Sequence, residues 1–134
     1  MLSNKAKYAL RALGYLAAKY PHGPVQIAEI AEQKKIPLKF LENILLELRK
    51  AEIVASKKGK GGGYFFDKDP KQVSVASVIR TIDGPISMLP CVSLYFYKKC
   101  DDCDEINCSL NKVFIDVRDA TIKVLEKKSI RDLI

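Results

Sequence analysis

In the first twenty positions apolar residues recur at helical spacing: Leu10, Leu13, Leu16, Ala17 and Tyr20 fall on one stripe, with polar residues between them. The spacing predicts an amphipathic helix from about Asn4 to Lys19. Tyr20-Pro21-His22-Gly23-Pro24 ends it, because two prolines and a glycine cannot continue a helix. A short second helix is expected over Gln26 to Lys35, with Ile27, Ile30 and Ala31 inward. Pro37 then opens a third at a first-turn position, where its missing N–H costs nothing. Leu38, Leu41, Ile44, Leu45 and Leu48 make the buried stripe of this helix. Its other face carries Lys39, Phe40, Glu42, Asn43 and Glu47, and Arg49 and Lys50 close it where cations suit the helix dipole.

The period then changes. Ile53-Val54-Ala55-Ser56 and Tyr64-Phe65-Phe66 are two short β-prone runs around Lys57-Lys58-Gly59-Lys60-Gly61-Gly62-Gly63, which predicts a hairpin. Four of the seven glycines in the chain lie in this one turn, interleaved with lysines, where an ordinary hairpin needs one or two. Three helices followed by a basic hairpin have the order of a winged helix-turn-helix. Beyond Asp69-Pro70, a fourth helix is expected from Ser74 to Ile82, ended by Asp83-Gly84-Pro85. Residues 86–108 show little periodicity and predict a loop. A last helix of about 18 to 20 residues starts near Ser109, with Leu110, Val113, Phe114, Val117, Ala120, Val124 and Leu125 repeating along it. That length exceeds what so small a body needs to cover its own core.

Composition adds a class and a polarity. The chain has 134 residues, 48% of them hydrophobic and 29% charged, which suits one globular domain with a real core and excludes a disordered basic tail. Its 23 basic and 16 acidic residues leave a formal charge of +7. The whole surplus precedes residue 69: up to Lys68 there are 13 basic and 6 acidic residues, and beyond it 10 of each. A basic half beside a neutral half suits a polyanion on one face and a different task elsewhere. No segment approaches the ~18 consecutive apolar residues of a membrane span. The basic start followed by apolar residues is not an export signal, because Arg11 interrupts the run. The expected compartment is therefore the reducing cytoplasm, where cysteines serve as thiols or ligands.

Two segments are candidates for contact with nucleic acid. In the hairpin, Lys57, Lys58 and Lys60 can neutralise phosphates, and glycines such as Gly61 let the main chain approach a backbone closely. The turn is not a nucleotide-binding loop, since no Gly-Lys-Ser/Thr follows and the third glycine of a dinucleotide fingerprint is missing. In the third helix, Asn43 can pair with adenine, Glu42 can accept from cytosine, Phe40 can touch a thymine methyl, and Lys39 lies beside them. Phe40 and Leu46 have a competing role as packing against the hairpin or first helix. His22, the only histidine, sits in a turn with no partner for a catalytic pair, and no paired carboxylates stand out, so an enzyme is not expected.

All four cysteines, Cys91, Cys100, Cys103 and Cys108, fall in the 86–108 loop, in an acidic setting (CDDCDEINC). Such close thiolates suit a soft metal or an iron–sulfur cluster, 2Fe–2S among the candidate types. A Cys₄ zinc site competes, although only Cys100 and Cys103 form the close pair that structural zinc prefers. Free, reversibly oxidised thiols are the third alternative.

Taken together, YALRALGYLA near the start, LENILLELRKAEIVASKKGKGGGY, the four-cysteine loop and the closing SIRDLI resemble the IscR/NsrR/CymR family of winged-helix transcription regulators. The similarity spans nearly the whole chain, and its most specific part is L-R-K-x-x-x-V followed by G-x-G-G-G-Y, from Leu48 to Tyr64. The resemblance implies a mainly α fold: a winged helix-turn-helix with a two-stranded β wing (1–68), then a cysteine loop (86–108) and a long dimerisation helix (109–128) in one integrated domain (69–134). It implies a homodimer on a pseudo-palindromic operator in double-stranded DNA, with Pro37 to Lys50 in the major groove and Lys57 to Gly63 reaching the minor groove. Carried over, the contacts fall on Lys39, Phe40, Glu42, Asn43, Ser56, Lys58 and Lys60. Cluster-binding members resemble this chain in having cysteines ahead of the dimer helix, which implies Cys91, Cys100 and Cys108 as the core ligands and Cys103 as an extra one.

The chain also departs from the pattern. Members often carry serine where Pro37 and Lys39 stand, so base preferences do not transfer. One branch uses an aspartate just before the first-helix tyrosine as the fourth ligand, where this chain has Lys7 before Tyr8. Another uses a histidine two or three residues after the last cysteine, where Leu110 and Asn111 stand. The expected function is a dimeric DNA-binding regulator that senses iron–sulfur, redox or nitric oxide status. Its alternatives are a zinc-stabilised or thiol-switch regulator without a cluster, and a basic adaptor that binds an acidic protein.

Overall fold

The computed structural model describes residues 2–99 and 108–134. The first helix, α1 (Asn4–Lys19), begins where Ser3 caps it, the Ser3 Oγ accepting from the Ala6 N–H at 3.0 Å. Its deepest positions are Ala6, Ala9, Ala12, Leu13, Leu16 and Ala17, whereas Leu10 and Tyr20 of the expected stripe are half-buried. Three alanines at i, i+3 and i+6 let neighbouring elements approach the backbone closely, a signal that a search for large side chains undervalues.

α2 (Ile27–Lys34) and α3 (Leu38–Lys50) form the helix-turn-helix, each one residue shorter at its start than the periodicity predicts, because Gln26 and Pro37 serve as caps. The sharp turn between them is made by Lys35 in the left-handed region (φ 53°), after which the Ile36 N–H returns to the Ala31 carbonyl at 2.9 Å and Ile36 is buried. Leu41, Ile44, Leu45 and Leu48 are wholly buried, each contributing about 1.5–3 kcal/mol. Leu38 is 46% exposed, because it stands at the first helical position, ahead of where the stripe meets the core at Leu41.

The hairpin pairs β1 (Ala55–Lys57) with β2 (Gly63–Phe65), with Ala55 opposite Phe65, Ser56 opposite Tyr64 and Lys57 opposite Gly63. A third segment joins it: Val25 and Tyr64 exchange both backbone hydrogen bonds, at 2.8 and 2.9 Å. This bridge fastens the hairpin to the entry of α2.

Asp69 caps a 3₁₀ turn at Pro70–Gln72, and Ser74 caps α4 (Val75–Ile82), its Oγ accepting from Ser77 N–H at 3.1 Å. Within the expected loop a second 3₁₀ turn forms at Pro90–Val92. The last helix, α5 (Ser109–Lys127), has 19 residues and packs on α4 and on that turn. The chain then returns to the winged half. Val75 N–H donates to the Lys128 carbonyl at 2.8 Å, Ile130 N–H donates to the Val73 carbonyl at 3.0 Å, and Ile130 is wholly buried among residues of α1 to α3. The core therefore crosses residue 69, where the charge balance changes. No helix among the described residues is long and apolar enough to cross a membrane.

Candidate functional site

Two sites emerge from this scaffold, one on the winged half and one where α5 begins. On α3, Lys39, Glu42 and Asn43 are exposed on the face opposite the leucine stripe. Phe40 is half-buried: its ring meets Tyr8 of α1 edge-on, with centroids 5.6 Å apart and planes at 85°. Its first contact is thus with α1, which fixes the rotation of α3 about its axis. Lys5 adds to that hold by pairing with Glu47 at 2.6 Å.

The wing is joined to the same helix. The guanidinium of Arg49, at the end of α3, donates to Ser56 Oγ on β1 at 3.3 Å. Lys57, Lys58, Lys60 and Gly61 are exposed at the wing tip. The ion pairs among the described residues join Lys5 to Glu47, Arg80 to Glu126 and Arg118 to Asp119, so Lys39, Lys57, Lys58 and Lys60 carry uncompensated charge.

The excess of glycine has a steric origin besides any contact with a ligand. A Cβ on Gly63 would lie 2.2 Å from the Val25 carbonyl oxygen, and one on Gly62 would lie 2.1 Å from that of Lys57. These two close approaches require glycine for the wing to form at all. Gly61, at φ +76°, faces open space and remains free to approach a partner.

On the outer side of α1, the Tyr15 hydroxyl donates to Glu29 of α2, with Lys19 and Lys34 ammonium groups 5.4 and 5.9 Å from the Tyr15 ring. The Glu29 hydrogen bond, then burial and the Glu29 charge, push the phenol above its ordinary value. Sequence reasoning did not find this cluster. His22 is exposed in its turn.

At the second site, Cys108 is the N-cap of α5, its sulfur accepting from the Asn111 N–H at 3.4 Å. The side-chain amide of the same Asn111 donates to the sulfur of Cys91, in the Pro90–Val92 turn, at 3.8 Å. Both thiols are free and half-buried. Arg118, two turns further along α5, donates to the Val92 carbonyl at 2.8 Å and so holds the Cys91 turn against the helix. Arg80 of α4 lies 4.8 Å over the Tyr95 ring and pairs with Glu126 at 3.3 Å. Cys100 and Cys103 lie outside the described residues. Among the described residues no three potential ligands come together. The donor chemistry of Cys91 and Cys108 fits two positions of a soft-metal or cluster site.

The surface of α5 that faces away from α4 differs from every other helix. Leu110 is 60% exposed, Val113 57% and Val124 56%, with Val117 and Ala120 also exposed. Ile122, absent from the expected stripe, is the buried residue. Between α5, the start of α1 and the segment after α4 lies a groove of about 490 Å³, lined by Leu2, Asp83, Met88, Val117 and Thr121 among others. At its edge the Ser3 N–H donates to Asp83 Oδ2 at 3.1 Å, joining α1 to the end of α4.

A helix-turn-helix with a glycine-built wing and unpaired cations defines the class of winged-helix regulators. The Rrf2 family pattern, whose description is iron-dependent transcriptional regulator, matches residues 2–134. An rrf2-like HTH-type transcriptional regulator of Rhodobacter capsulatus is 44% identical over 138 residues, covering all of this chain and 92% of that protein. IscR of Sodalis glossinidius is 40% identical over 90 residues, which span 67% of this chain and 54% of that protein. The structure of CymR, the global cysteine regulator of B. subtilis, superposes with a TM-score of 0.81 at 28% identity, covering 99% of this chain and 95% of that one. The chain belongs to the Rrf2 family of transcriptional regulators. Its relatives are regulators, not enzymes, and DNA binding is implied by the family.

Proposed function

We propose that this chain is a homodimeric transcription regulator that binds a pseudo-palindromic operator through α3 and the wing, and whose cysteine loop senses iron–sulfur status, redox state or nitric oxide. The observation that carries the DNA reading is the set of uncompensated cations on two elements of one winged helix, Lys39 on α3 and Lys57, Lys58 and Lys60 on the wing. In that reading Lys39, Glu42 and Asn43 enter the major groove and approach base edges. Phe40, anchored by Tyr8, borders them and offers its free edge to a thymine methyl. Ser56, Lys57, Lys58, Lys60 and Gly61 contact the phosphate backbone and the adjacent minor groove, and Arg49 keeps Ser56 in register with α3.

For the sensor, Cys91 and Cys108 are the ligands whose placement supports the reading, with Cys100 and Cys103 completing an all-cysteine set. A bound cluster supplies a redox- and nitric-oxide-sensitive centre. The residues of the chain provide the coupling. Filling the cysteine site acts on the segment that Arg118 and Arg80 hold at Val92 and Tyr95, and on the groove between α5 and α1. A second copy packed on the exposed α5 stripe converts that shift into a change in the spacing of two DNA-binding heads. Residues 1–68 serve the DNA and 69–134 the sensing and pairing.

Two measurements test this together. Selection of duplexes from a random pool is expected to return a two-fold symmetric site. Anaerobically prepared protein is expected to absorb visible light and contain iron and sulfide. Colourless protein containing zinc contradicts the cluster and supports a zinc-stabilised regulator. Failure to shift any duplex contradicts the DNA reading and supports a protein-binding adaptor.

A further inference from the structure

Asn111 connects the two cysteines in a way that neither their spacing nor their number requires. Its position, three residues after Cys108, places its backbone N–H among the first-turn donors that the helix leaves unpaired, and that donor meets the Cys108 sulfur at 3.4 Å. Its side chain reaches a segment twenty residues earlier in the chain, where Nδ2 donates to the Cys91 sulfur at 3.8 Å. The same face of α5 carries Arg118 seven residues on, which holds the next carbonyl in the Cys91 turn, that of Val92. The Cys91 turn is therefore gripped at its backbone by Arg118 and at its sulfur by Asn111. An amide suits this place because it donates to sulfur without carrying a charge. A carboxylate there sets a negative group against thiolates, and an aliphatic side chain leaves Cys91 without this donor.

We propose that Asn111 is the positioning residue of the cysteine site: it aims the Cys91 and Cys108 sulfurs at one metal position and donates to both when they are charged. This rests on the reading of the loop as a thiolate site. Groups that orient metal ligands from outside the coordination shell set affinity and electronic character, and their loss typically costs about 10–100-fold in metal affinity. The side-chain amide is the part that substitution removes; the backbone donor to Cys108 stays.

Anaerobic titration of the reduced full chain with Co²⁺, followed by sulfur-to-cobalt charge-transfer absorption, tests the proposal. The unchanged chain is expected to bind with a thiolate charge-transfer band. Asn111→Ala is expected to weaken binding about tenfold or more and to alter the band, while helical circular dichroism is unchanged. Asn111→Gln restores part of the affinity and Asn111→Asp does not. In a Cys91→Ala background, Asn111→Ala is expected to have little further effect, because the sulfur it serves is gone. Equal affinity and an identical band for Asn111→Ala and the unchanged chain overturn the proposal. So does an equal loss in both backgrounds, which marks Asn111 as a general support of the fold. Absence of any charge-transfer band in the unchanged chain overturns the thiolate reading itself, a result distinct from a difference among the Asn111 variants.

Discussion

The winged half and α5 treat apolar surface in opposite ways. In α3 the stripe residues Leu41, Ile44, Leu45 and Leu48 are wholly buried, and the outward face is polar or charged apart from Leu38 at its start and Leu46, which is 37% exposed rather than packed away. In α5 only Ile122 is buried, and Leu110, Val113, Val117 and Val124 lie on the surface. The first region is complete in a single chain and exposes charge that suits a polyanion. The second leaves an apolar stripe exposed in a single chain, the kind of surface that suits a protein partner. The difference teaches that periodicity alone does not mark a monomer core: the α3 stripe is used within one chain, whereas most of the α5 stripe is left outside it, available to the proposed second copy.

The largest expected effects break this contrast directly. Leu45→Ala removes a wholly buried side chain and is expected to cost about 2–5 kcal/mol of unfolding free energy, at any protein concentration. Val124→Ala, 56% exposed in one chain, is expected to cost stability only where the protein is dimeric, so its effect vanishes on dilution. Denaturant titrations at two concentrations compare the two variants. Next, Val117→Glu places a charge on the exposed stripe and is expected to convert the dimer to monomer in sedimentation at micromolar concentration, with the fold retained. A dimer that survives Val117→Glu moves the pairing surface elsewhere.

The smallest effect concerns the α1 to α2 seam. In the folded chain the Glu29 hydrogen bond, burial and the Glu29 charge make Tyr15 hold its proton more tightly than in the unfolded chain. That contribution is fully present below the ordinary phenol value of about 10 and is lost as pH rises through the raised value. The melting temperature is therefore expected to fall more steeply above about pH 10 than it does in Tyr15→Phe, and parallel profiles contradict the assignment.

The regular elements were legible because their signals are local. The helical stripes of α1 and α3, the prolines and glycines that end helices, and the Lys-Gly turn place each element to within one or two residues of where it forms. The parts that were not legible depend on partners distant in the chain. Val25 joins the wing through Tyr64, 39 residues later, and so explains why Gly63 must be glycine. Ile130 fills a core built from α1 to α3, after the chain has travelled through the loop and α5. Phe40 has two readings from its place on α3, a base contact or packing against the hairpin or first helix, and its edge-on meeting with Tyr8 decides that it packs on the first helix. At the second site, the sequence offers the cysteines as candidate ligands but gives no signal for the contacts of Asn111 and Arg118, which exist only once the Pro90–Val92 turn is laid against α5.

The central claim is that the uncompensated cations of the wing meet DNA phosphates. It is tested most directly by measuring duplex affinity over a range of salt concentrations for the unchanged chain and for a variant carrying Lys57→Ala, Lys58→Ala and Lys60→Ala. The account predicts weaker binding to every duplex and a log–log salt slope shallower by about three per protomer, close to one for each lysine removed. An unchanged affinity and an unchanged slope contradict it.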